Sequence, residues 1–138
     1  MRAVMSSSSR LLLNAALYGL GAFAIGFTFG VLRELVFIPR FGERTGHLLE
    51  FPLVTGCIVV FGWWLARLKG SRPSAALLFG VGGVGVLLAI ESAFALGFLG
   101  MSLEDYLATF NLAQGALFPY ALALMAIAPF LSAWSARR

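Results

Sequence analysis

Three ionisable residues sit where an apolar chain does not place charge without a reason. Arg33 lies in "VLREL", Glu50 in "LLEFP", and Glu91 closes the run "LLFGVGGVGVLLAIE" that begins at Leu77. A charge near the middle of a bilayer costs from about 2.5 kcal/mol upward, so such groups face other helices and pair. An arginine fork can hold two carboxylates at once. The expectation is an Arg33–Glu50–Glu91 cluster between helices. It either clamps their register or serves as a proton or ion site. Glu34, Arg40, His47, Asn111 and Gln114 are the secondary polar residues near it.

Other chemistry fits less well. Gly80, Gly82 and Gly85 match G-x-G-x-x-G, and Glu104 lies about 20 positions further on, as a dinucleotide fold requires. That fold also needs a solvated strand before the glycines, whereas these sit within some 25 apolar residues. His47 and Cys57 are the chain's single histidine and cysteine, so metal-ligand spacing is missing and no metal or cofactor is expected. No Ser-His-Asp, Cys-His or Gly-x-Ser-x-Gly pattern occurs, which argues against a nucleophilic enzyme.

The elements that must position these residues are membrane helices. Of 138 residues, 60% are hydrophobic and 12% charged, about half the charge of an ordinary globular domain. Roughly 20 apolar residues cross the hydrocarbon as a helix. Four segments qualify, at about 11–38, 47–68, 75–99 and 113–134. The fold expected is an all-α bundle of four transmembrane helices forming one domain over 1–138. Pro39 and Gly42 should stop the first helix. "KGSRPS" is a polar turn. Ser102 with Asp105 three residues on is an acidic capping box, so a helix should begin there and run into the fourth span. Pro119 and Pro129 within that span suggest kinks.

Basic residues orient the bundle. Arg2 and Arg10, then Arg67, Lys69 and Arg72, then Arg137 and Arg138 share one side, seven of the ten Lys and Arg residues. The positive-inside rule puts that side, with both termini, in the cytoplasm. A competing reading takes the basic start, apolar middle and Ala-Phe-Ala ending of residues 1–24 as a cleaved signal peptide, which would leave three spans. All six acidic residues fall in the outer half, and the inner half reads as featureless apart from an aromatic belt of Trp63, Trp64 and Trp134. Tyr106 and Tyr120 either join such a belt or line a cavity. The net charge of +4 reflects this topology and not nucleic acid.

The glycines have a packing explanation. Small residues let helices approach in lipid. At 100° per residue, Gly19, Gly26, Gly30 and Arg33 fall within roughly 60°, and Gly80, Val84, Leu87 and Glu91 align likewise. Both faces are expected to be buried against neighbouring helices.

The segments "GVLRELVFIPRFGERTGHLLEFP" and "ESAFALGFLGMSLEDY" resemble a family of small four-span proteins of bacterial inner membranes. Leu32-Arg33, Pro39-Arg40-Phe41-Gly42, Glu50-Phe51-Pro52 and Glu91 carry the resemblance. It implies the four-span fold and an inner-membrane location and implies no substrate. Two functions follow. One is a structural or accessory membrane protein that forms a homo-oligomer or joins a larger complex. The other is a small oligomeric transporter or channel using Glu91 and Arg33. The lack of a clear internal repeat weighs against an inverted-repeat transporter. In both, the bilayer is the constant partner.

Overall fold

A computed structural model of the chain describes residues 7–70, 72–111 and 117–137, with side chains from Ser9 onward. Among these residues the regular structure is entirely helical. Helix α1 (Ser7–Leu32) passes through a widened π-turn (Arg33–Phe37) into α2 (Ile38–Phe41). Helix α3 (Glu43–Lys69), α4 (Pro73–Ser92) with its own π-turn (Ala93–Phe98), α5 (Leu103–Ala108) and α6 (Phe118–Ser135) follow. Four helical stretches are long and apolar enough to cross a membrane: Ser9–Phe41, Glu43–Lys69, Pro73–Phe98 and Phe118–Ser135.

Proline does not end the first span, contrary to the sequence expectation. The π-turn joins the Ile38 N–H to the Arg33 carbonyl. Pro39 then falls in the first turn of α2. A residue without an N–H is tolerated there, because the widened turn has already broken the i→i−4 ladder. The stop is Gly42, whose φ of 88° belongs to the region that favours glycine. Gly70 closes α3 in the left-handed conformation (φ 59°), and its N–H bonds to the Ala66 and Arg67 carbonyls.

Ser102 caps α5 as its spacing predicts, accepting the Asp105 N–H at 3.1 Å. The helix does not run on to the fourth span. Phe110 N–H turns back to the Leu107 carbonyl (3.1 Å), and Thr109 Oγ1 donates to Tyr106 (2.7 Å), ending it after six residues. Pro119 stands in the first turn of α6, where it needs no N–H, so only Pro129 is internal.

The four long helices form a ring in the order α1, α3, α6, α4. Helices α3 and α4 follow one another in sequence yet sit across the diagonal. The end where α1 begins and α6 finishes, termed the inner end, is narrow because Ala66, Ala76 and Ala133 line it and are almost wholly buried. A turn from Lys69 to Pro73 reaches at most about 14 Å, enough to cross so small a section.

Tyr18 stands on the bundle axis with 0% exposure. Its ring packs against Phe61 and Phe79, both at 5.8 Å between centroids. Its hydroxyl donates to the Met125 carbonyl at 2.6 Å. One side chain thereby touches α3, α4 and α6 from α1.

The glycines divide sharply. A Cβ on Gly83 would lie 2.6 Å from the Tyr18 ring, and one on Gly19 would lie 2.5 Å from Val86. A Cβ on Gly80 would strike the Ala126 carbonyl, and one on Gly62 the Tyr18 hydroxyl. Among the described residues Gly26 and Gly30 meet nothing within 4 Å. The GxxxG pair of the first span therefore makes no packing contact with them. Close approach is made a turn or two lower, by Gly19 and Gly21, because the Tyr18 hub sets where the helices are nearest.

Candidate functional site: polar clamps at the two ends of the bundle

Two polar constellations lie at opposite ends. At the outer end, Arg33 sits at the start of the π-turn that follows α1. Its Nη1 donates to Glu50 Oε2 at 2.7 Å, and its Nε and Nη2 reach Glu34 Oε1 at 3.4 and 3.3 Å. Glu50 is 8% exposed on α3, whereas the Glu34 side chain is 60% exposed. The strong contact is therefore Arg33–Glu50, a short charge-assisted bond that staples α1 to α3. Above it, toward the turn at Gly42, Ile38 packs on Gly46, which has no side chain to hold the hairpin open.

Glu91 is not the third member. It lies on the inward stripe of α4 between Leu87 and Ala95, both buried, and is itself half-buried. Among the described residues it makes no ion pair. The reason is vertical register. Helices α1 and α4 run parallel, with Ala15 beside Gly82, Gly19 beside Val86 and Phe27 beside Phe94. That register sets Glu91 level with about Ala24, so Arg33 stands nine residues higher, or ~13 Å at 1.5 Å per residue. A guanidinium cannot span this distance. The expected three-membered cluster reduces to Arg33 with Glu50 and Glu34.

The remaining predicted polar residues scatter. Arg40 on α2 and His47 on α3 are exposed. The Asn111 N–H closes the turn after α5 on the Ala108 carbonyl at 3.1 Å. Gln114 lies outside the described residues. Tyr106 is buried and its hydroxyl shares a 2.6 Å hydrogen bond with Ser92, tying α5 to the end of α4, whereas Tyr120 is exposed. The Thr55 hydroxyl is buried on α3 and has no hydrogen-bond partner among the described residues.

The inner end is not featureless. Arg67 Nε donates to Ser132 Oγ at 3.2 Å and Nη2 to Ser135 Oγ at 2.9 Å. Ser132, fully buried, donates in turn to the Trp63 carbonyl at 2.9 Å. The guanidinium lies 5.7 Å from the Trp63 ring centroid. This network joins α3 to α6. The sequence does not disclose it, because serine in an apolar helix usually bonds its own backbone and nothing local marks Ser132 as the one facing Arg67. Tyr18 is equally inconspicuous, since one tyrosine in an apolar span resembles any other.

Among the described residues no group of three or more His, Cys, Asp or Glu could hold a metal ion. These features give an all-helical bundle with four helices long and apolar enough to cross a membrane, compatible with an integral membrane protein, and a polar staple at each end. No family model, curated protein or solved structure matches the chain.

The outer staple gives a quantitative expectation. Arg33→Ala leaves a nearly buried carboxylate unpaired. Breaking a buried pair costs 3–5 kcal/mol, and Arg33, with a quarter of its side chain exposed, should fall below that, at about 2 kcal/mol. Glu34→Gln should change stability by under about 0.5 kcal/mol, as exposed pairs do. Denaturant titration of the purified variants in micelles checks both. A charge-swapped Arg33→Glu/Glu50→Arg double variant should recover much of the loss. If Arg33→Ala and Glu34→Gln cost the same, the staple is not what holds this hairpin.

Proposed function

We propose that the chain is a non-enzymatic integral membrane protein of structural or accessory type, spanning a bacterial inner membrane four times with both termini in the cytoplasm. The observation that carries this reading is how the charges are used. Each donor nitrogen of Arg33 is engaged with Glu50 or Glu34, so the strongest polar contact of the outer half is spent on joining helices. The basic residues around the inner turn and carboxyl end support the orientation. The resemblance to small four-span inner-membrane proteins supports the location. Partner contacts through a homo-oligomer or a larger complex belong to the same proposal.

One observation favours the second reading, a proton or ion pathway. Glu91 faces inward and has no ion pair among the described residues, a placement that marks ion routes in membrane proteins. Reconstitution into liposomes separates the two. The structural reading expects proton and monovalent-cation flux no greater than that of empty vesicles, for the natural chain and for Glu91→Gln alike. Flux through the natural chain that Glu91→Gln abolishes would replace it with the transport reading.

A further inference from the structure

The two arginine staples differ in one respect. Arg33 is neutralised within the protein by two carboxylates. Among the described residues Arg67 is held by neutral groups: two serine hydroxyls and an indole face. All six acidic residues of the chain lie toward the other end of the bundle, and the inner end carries Arg10, Lys69, Arg72 and Arg137 besides Arg67. The guanidinium is thus fixed in direction without its charge being met by a carboxylate among the described residues. An arginine at a membrane boundary needs a counter-charge, and the headgroup layer is the nearest source.

We propose that Arg67, oriented by Ser132 and Ser135 over Trp63, binds the phosphodiester of an anionic phospholipid in the leaflet at this end. The inference rests on the membrane reading and deepens it. The serines accept from Nε and Nη2, while Nη1 has no protein partner among the described residues. A planar fork with a free edge suits a phosphate oxygen better than a mobile ammonium does. Ser132 is anchored by its bond to the Trp63 carbonyl, so the fork cannot turn away freely. Around it Trp64, Leu68, Leu131 and Trp134 expose apolar surface. Acyl chains cover that surface beside the site, which a free inorganic anion could not do. The nearby Lys69, Arg72 and Arg137 raise the local potential and select an anionic headgroup over a zwitterionic one.

The chain reports on the site itself, because its three tryptophans, Trp63, Trp64 and Trp134, all lie in the lower parts of α3 and α6. Full-length protein in zwitterionic micelles would be titrated with short-chain phosphatidylglycerol, short-chain phosphatidylcholine and inorganic phosphate, in 0.5 M salt, while tryptophan emission is followed. Salt at that level shortens the screening length to under about 5 Å and suppresses diffuse attraction. Phosphatidylglycerol is expected to give a saturable shift, with neither of the others doing so. Arg67→Gln should weaken it by about fivefold or more, since one basic side chain near a membrane surface contributes about 1 kcal/mol. Arg67→Lys should restore part of it, and Lys69→Gln should weaken it less than Arg67→Gln does. Ser135→Ala keeps the charge and the fold but frees the fork, and should weaken binding less than Arg67→Gln does. Ser135→Ala with affinity unchanged, Lys69→Gln as damaging as Arg67→Gln, or an equal response to inorganic phosphate would each overturn the proposal. Failure of the natural chain to enter the detergent phase at all would instead refute the membrane reading.

Discussion

Replacing Tyr18 with alanine is expected to destabilise the bundle by about 3–5 kcal/mol, the range for deleting a fully buried aromatic side chain. The hole would open where all four long helices meet. Its lining would be Phe61, Phe79 and the bare backbones at Gly62 and Gly83. Those glycines cannot fill the space, and a rigid ring of helices collapses only in part. The Met125 carbonyl would also lose the hydroxyl that now donates to it at 2.6 Å. Tyr18→Phe isolates that second loss. It should cost about 1 kcal/mol or somewhat less, the usual range for hydrogen bonds between membrane helices. Equilibrium unfolding in mixed micelles, read by far-ultraviolet circular dichroism, measures both. If Tyr18→Ala were as mild as Tyr18→Phe, the axis would not be the packing centre described here.

The second large effect is expected at Gly80. A methyl group there meets the Ala126 carbonyl, a backbone atom that cannot rotate away, so α4 and α6 must separate. Gly80→Ala should cost about 1–3 kcal/mol, as over-packing does. Gly26→Ala and Gly30→Ala point into open space and should instead be neutral or stabilising by up to about 1 kcal/mol each, since alanine favours the helix over glycine. The two groups of glycines look alike in sequence, and the sign of the effect separates them. The same thermal or denaturant measurement suffices. A strong loss at Gly26 or Gly30, appearing only at high protein concentration in the membrane, would mean that their face meets a second copy of the chain.

The polar residues show how far the sequence reached. The pairing of Arg33 with Glu50 was legible because both interrupt apolar segments beside one short hairpin. A hairpin of known length leaves little freedom in which residues oppose each other. The exclusion of Glu91 was not legible. Whether it meets Arg33 depends on the vertical offset of α1 and α4, which are not joined by a short loop. That offset is fixed by Gly19 against Val86 and Phe27 against Phe94, contacts between residues more than sixty positions apart. The inner clamp was hidden for the same reason, as Arg67 and Ser132 belong to spans two and four.

By itself the sequence determined the four helices long and apolar enough to cross a membrane, the Ser102 cap and the turns at Gly42 and Gly70. Each of these is set by neighbouring residues: hydrocarbon thickness fixes the length of an apolar run, and backbone sterics fix where glycine is needed. Tertiary structure alone decided the ring order, the hub at Tyr18, which glycines touch a neighbour, and which arginine finds a carboxylate. Those depend on the rotation and height of one helix against another. In lipid, where apolar surface is equally satisfied by a helix or an acyl chain, no hydrophobic pattern along the chain records them.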